Sequence, residues 1–153
     1  MKLEDAIKSN RFSDERHKAS VNLIYTAYWL KHNFSSTMKE CGLTMEQHNV
    51  LRILNGSHPR ALCVKEIGAR IIEKSSNVPR IIDRLVAKKL VERVQSKEDK
   101  RETLISLTDK GIELTQKARM IVDEKTKGLI NLTIEESKEL NVLLEKMREP
   151  TVK

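Results

Sequence analysis

One β-prone stretch, set in a chain whose other apolar residues recur at helical spacing, limits the possible folds most sharply. Residues 90–94 (LVERV) and 102–107 (ETLISL) flank the charged run QSKEDKR. Two short β-prone runs joined by a polar connection predict a hairpin. The rest of the chain follows steps of three and four. Leu23, Ala27, Leu30, Phe34 and Met38 stripe a helix over residues 16–40, stopped at Gly42. Thr44, Met45, Glu46 and Gln47 form a capping box that opens a second helix carrying Val50, Leu51 and Leu54, ending at Asn55 and Gly56.

A shorter helix over 64–72 shows Ile67 and Ile71 on one face, and EKSS interrupts the pattern. A fourth helix over 77–89 carries Val78, Ile81, Ile82 and Leu85, with Ser76 expected as its N-cap. Pro79 is tolerated there, because the first turn has no helical partner for its backbone N–H. After the hairpin, a long helix from Thr108 bears Leu114, Ala118, Ile121 and Val122. A second capping box, Thr133 to Glu136, opens a last helix with Leu140, Leu143, Leu144 and Met147, ended by Pro150. The first ten residues are polar and expected to be loose. The predicted order is four helices, a hairpin and two helices: a mainly α fold with a small β-hairpin, in one domain of 153 residues.

Bulk properties narrow the function. No run of 18 apolar residues offers a membrane span. The start lacks the apolar middle of a secretory signal, so a cytoplasmic protein is expected. The net charge is +7, and residues 44–107 hold 13 Lys and Arg against 8 Asp and Glu. A basic middle suits an anionic partner such as nucleic acid. Phe12, Tyr25, Tyr28, Trp29 and Phe34 are the only aromatics, and all precede that basic segment. Single strands are usually held by rings on which bases stack, so a duplex is the better partner.

Two short helices, a turn and a third helix with polar residues at its start form the layout of a helix-turn-helix. Its second helix would present Ser75, Ser76, Asn77, Pro79, Arg80 and Arg84 to the major groove. Asn and Arg can pair bidentately with adenine and guanine edges. Residues 75–77 also read simply as a capping sequence. The basic hairpin that follows favours the duplex reader.

The stretch KEIGARIIEKSSNVPRIIDRLVAKKLVERVQSKEDKRETLISLTDKG resembles the winged-helix core of the MarR family of bacterial transcriptional regulators. The resemblance rests on SSNVPRIIDRLVAKKLVER, on Asp99 and Arg101 of the wing, on Leu107-Thr108, and on Lys110-Gly111. It implies a winged helix-turn-helix in which residues 44–107 bind DNA while helices over 16–40 and 108–149 form a homodimer. It further implies that Arg101 enters a minor groove, that Asp99 pairs with an arginine to hold the wing, and that Lys97 and Lys100 contact phosphates. The chain departs from the family at Pro79, where a small polar residue is common, and at Lys100, where arginine is frequent.

Members of the family often release DNA when a small aromatic or phenolic ligand binds between the dimer helices and the winged helix. Tyr25, Tyr28, Trp29, His32, His48 and Arg52 are candidates to line such a pocket; the aromatic cluster reads equally as dimer core. Cys41 and Cys63 do not stand where oxidant-sensing relatives carry their cysteine. His17, His32, His48 and Cys41 have no convincing ligand spacing, so neither a metal nor another cofactor is expected. No G-x-S-x-G, Gly-rich phosphate loop or H-E-x-x-H occurs, which argues against an enzyme. The expected function is a sequence-specific DNA-binding regulator, a repressor; the alternative is a non-specific architectural DNA-binding protein.

Overall fold

The computed structural model of the chain describes residues 1–74, 77–96, 99 and 101–150. Among the described residues, seven helices and three short strands follow in the order α1 (Leu3–Ile7), α2 (Glu15–Glu40), α3 (Met45–Ser57), β1 (Leu62–Cys63), α4 (Val64–Arg70), α5 (Val78–Ala87), β2 (Val91–Gln95), β3 (Thr103–Leu107), α6 (Asp109–Leu129) and α7 (Ile134–Met147). Six helices and the hairpin stand where the spacing predicts them.

Three features differ from expectation. The N-terminal residues include the five-residue helix α1, whose Leu3 is buried and whose Glu4 pairs with Lys18 of α2. The hairpin gains a third strand, β1, giving the antiparallel order β1-β3-β2 with Leu62 opposite Ile105 and Val91 opposite Leu107. The N-cap of α5 is Asn77, one residue later than expected, and its side chain accepts the Arg80 N–H at 3.3 Å.

The core sits where the helix-turn-helix meets the sheet. Met38 of α2, Val50, Leu51 and Leu54 of α3, Ile67 of α4, Ile82 and Leu85 of α5, Ile105 of β3 and Ala118 of α6 all lie within it. Both predicted capping boxes form: Thr44 accepts the Gln47 N–H while Gln47 Oε1 accepts the Thr44 N–H, and Thr133 and Glu136 repeat the exchange. Each satisfies two backbone donors that the first turn of a helix leaves free.

The junction after the hairpin explains the sequence LTDKG. The Thr108 hydroxyl donates to the Lys89 carbonyl at 2.8 Å and accepts the Gly111 N–H at 3.0 Å, so it caps α6 and ties it to the end of α5. A Cβ on residue 111 would collide with the Leu90 carbonyl oxygen and lie 2.9 Å from its carbon. Only glycine lets α6 seat this closely.

The ends of α2 and α5 share one geometry, and α1 likewise ends at a left-handed residue, Lys8 (φ 54°). Gly42 (φ 66°) follows α2 and Lys89 (φ 59°) follows α5. The next residue in each case donates back into the last turn, Leu43 to Met38 and Leu90 to Leu85. This is the Schellman arrangement, for which glycine is the usual residue.

Candidate nucleic-acid interface

α5 is laid against the core by Val78, Ile82 and Leu85, which are buried, so its opposite face is left to solvent. Asn77, Pro79, Arg80 and Arg84 are all exposed on or beside it. Ser75 and Ser76, expected to belong to the same surface, lie outside the described residues, as do Lys97 and Lys100 of the wing tip. Asp99 and Arg101 are exposed at that tip.

The tip is held by main-chain bonds. The Asp99 carboxylate accepts the Arg101 N–H at 2.9 Å, and its backbone carbonyl accepts the Glu102 N–H at 2.9 Å. Asp99 thus closes the turn through the backbone of Arg101; among the described residues no guanidinium pairs with it. The arginine that braces the wing is Arg93 of β2, which pairs with Asp83 of α5 and so joins the wing to the helix beside it.

Seven arginines fall within residues 44–107, and their side chains divide into two sets. Arg52 donates to Asn49, Arg60 pairs with Glu66, Arg70 donates to Ser57, and Arg93 pairs with Asp83. The guanidiniums of Arg80, Arg84 and Arg101 have no protein partner among the described residues. All seven are exposed; the structure separates four with side-chain partners from three without one, and those three are the arginines that the sequence assigns to the recognition helix and the wing. The partner of Arg52 lies one turn away on its own helix, while those of Arg60, Arg93 and Arg70 lie six, 10 and 13 residues away.

The start of α5 is also distinct. Every other helix carries Asp or Glu in its first turn, where a negative charge complements the helix dipole, and α5 carries none. The backbone itself offers little there, because Pro79 has no N–H and Arg80's is taken by Asn77. Recognition at this end therefore falls to side chains. Asn77 Oδ1 is committed to the cap, so a bidentate pairing with adenine, which needs both amide atoms, would cost the cap.

Beside α5 lies a cleft of about 320 Å³, lined by Glu46, Gln47, Glu73, Asn77, Arg80 and Arg84 among others. A larger cleft of about 710 Å³ opens between α2 and α6, lined by Thr37, Glu40, Met120, Ile121 and Leu129 among others. Neither is lined by the six candidate effector residues. Tyr25 is half-buried, Tyr28, Trp29 and His32 are exposed along α2, and His48 and Arg52 lie one turn apart on α3. Burial, with a smaller effect from Arg52, pushes the His48 imidazole below its ordinary range.

Cys41 and Cys63 are free thiols at two helix boundaries, the C-cap of α2 and the start of α4. Among the described residues no three His, Cys, Asp or Glu side chains gather as a metal site, and no helix is long and apolar enough to cross a membrane.

A family model described as Transcriptional regulator SarA/Rot matches residues 32–118, more than half of the chain. The HTH-type transcriptional regulator YkoM of Bacillus subtilis is 34% identical over 109 residues, covering 71% of this chain and 70% of that protein. The Staphylococcus aureus MepR–DNA complex is similar in structure, with a TM-score of 0.74 and 26% identity over 84% of this chain and 94% of that one. A mutant of Escherichia coli MarR complexed with operator DNA shares the fold, with a TM-score of 0.75 and 23% identity over 92% of this chain and 100% of that one. The chain belongs to the SarA/Rot family of transcriptional regulators, winged-helix proteins of the MarR type.

Proposed function

We propose that this regulator is a homodimeric, sequence-specific reader of double-stranded DNA, a repressor that occupies a pseudopalindromic operator. The observation that carries the reading is the division among the arginines: Arg80 and Arg84 on the outer face of α5, and Arg101 at the wing tip, are exposed and unpartnered among the described residues. A guanidinium without a carboxylate keeps all its donors for base edges and phosphates. Arg80 and Arg84 read the major groove from α5, while Arg101 meets the flanking minor groove, where narrow A·T tracts concentrate negative potential. The structure of the relative MepR in complex with DNA supports DNA as the partner.

The terminal helices support the dimer. The stripe on α2 is buried progressively along the helix: Leu23 is 38% exposed, Leu30 and Phe34 are half-buried, and Met38 is fully covered. α7 has no buried residue, and its Val142 and Leu143 are each 62% exposed. An isolated 14-residue helix is marginal in water, and these apolar faces need a cover. A second copy supplies it and brings two α5 helices to one duplex.

Selection of bound duplexes from a random pool at near-physiological salt tests the reading. It predicts enrichment of an inverted repeat with half-sites about one helical turn apart. Recovery of DNA with no shared motif would replace it with the non-specific architectural alternative.

A further inference from the structure

α2 enters the body of the protein only near its end. Its fully buried residues are Thr37 and Met38, while Ile24 and Tyr28, farther back, are each 71% exposed. Lys31 lies two turns before Met38, about 10 Å along the helix axis. There its Nζ stands 3.0 and 3.1 Å from the two carboxylate oxygens of Glu73, across 42 residues of sequence. Glu73 belongs to the turn between α4 and α5, four residues before the Asn77 cap. The positive charge of Lys31 also helps hold the Glu46 carboxyl below its ordinary range, after its hydrogen bonds to its own backbone N–H and to Thr44. Lys31 therefore faces two carboxylates that both line the cleft beside α5.

Among the described residues, this is the one ion pair that joins α2 to the helix-turn-helix. The apolar anchor of α2 is strongest at Met38 and weakens toward Phe34 and Leu30, which are half-buried. Lys31–Glu73 ties α2 at a second point to the chain just before α5. We propose that Lys31 and Glu73 are positioning residues, which set the placement of α5 relative to α2 and so link the dimer helix to the DNA-reading helix. The DNA part of this inference rests on the function proposed above; the placement of α5 does not.

The pair is half-exposed on both sides, so its removal should cost little in global stability. Its effect belongs to geometry, and a cycle of near-isosteric substitutions reads it. Lys31→Met, Glu73→Met and the double variant are titrated against a selected duplex over a range of salt, with amide exchange followed in the free proteins. A positioning role predicts that both single variants lose affinity, each by roughly three- to tenfold, and that the double variant loses no more than either alone. It also predicts an unchanged salt slope and faster exchange in the first turn of α5 in all three variants.

If Lys31 and Glu73 instead acted on DNA only through their charges, the effects would have opposite signs. Lys31→Met would weaken binding and lower the salt slope by about one unit, and Glu73→Met would strengthen binding. That outcome, or simple additivity with exchange in α5 unchanged, overturns the proposal. Exchange in the free protein separates the two inferences. A wild-type chain that binds no duplex overturns the DNA reading, while faster exchange in α5 still carries the positioning role.

Discussion

The winged core and the terminal helices solve the same problem to different degrees. In the core each helix finds its partners within the chain: Leu51, Ile67, Ile82, Leu85 and Ile105 are fully covered, and four arginines are tied to neighbours. α7 is as well capped as α3, by the same type of box, yet buries nothing. The first half of α2 is equally bare. Capping decides where a helix begins; burial decides whether it needs another molecule. The difference teaches that the core completes its packing within one chain, whereas the terminal helices keep apolar faces uncovered, which on the proposed reading a second copy covers.

The largest expected effect breaks the unfinished half. Leu143→Glu places a carboxylate on the apolar face of α7 in both copies, and dimerisation should weaken by on the order of 4 kcal/mol. Sedimentation should show the monomer mass at concentrations where the wild type is dimeric, with circular dichroism of the core unchanged. A dimer that persists would place the interface elsewhere.

The next effect falls where the two regions meet. Gly111→Ala forces a methyl group into the Leu90 carbonyl and should lower stability by roughly 3 kcal/mol in thermal or denaturant unfolding. A loss below about 1 kcal/mol would mean that α6 can slide away from the wing more easily than its packing implies.

Smaller effects come from the paired helix ends. Gly42→Ala should cost about 1 kcal/mol, because alanine is strained at φ 66°. Lys89→Gly relieves the same conformation and should gain about half as much, since glycine gives back part of the benefit in chain entropy. Effects of equal sign would show that the two ends are not equivalent.

The smallest effect is a pH dependence within the core. His48 is depressed in the folded state by burial and by Arg52, so the unfolded chain takes up a proton first as pH falls. Its contribution is present above the ordinary value of 6.5 and is lost as pH drops through the lower folded value. His48→Gln should remove that part of the slope in denaturation curves taken from neutral to mildly acidic pH.

What was legible in the sequence is what local physics fixes. The capping boxes at Thr44 and Thr133, the Gly42 stop and the apolar stripes depend on residues within a few positions of one another, and the helices follow them. β1 was missed because its two residues are a strand only through β3, more than 40 positions away. The cap of α5 moved by one residue because serine and asparagine compete as adjacent N-caps with similar preference. α1 was missed because five residues are too few to show a helical period and only one of them, Leu3, is buried.

The site's arginines were legible from their place on the recognition helix and the wing, which singled out Arg80, Arg84 and Arg101; what the sequence did not show is that Glu66, Asp83, Asn49 and Ser57 occupy the other four. Asp99 was correctly placed at the wing tip, but the bond it makes is to a backbone N–H. The pairing of Lys31 with Glu73 had no local sign at all.

The most direct test of this division is to replace each of Arg52, Arg60, Arg70, Arg80, Arg84, Arg93 and Arg101 by alanine and measure affinity for a selected duplex at fixed salt. The account predicts losses of roughly tenfold or more for Arg80, Arg84 and Arg101, with relaxed sequence preference for the two on α5, and changes within about threefold for the other four. Losses spread evenly over all seven, with sequence preference intact, would contradict it and describe a surface that grips DNA by charge alone.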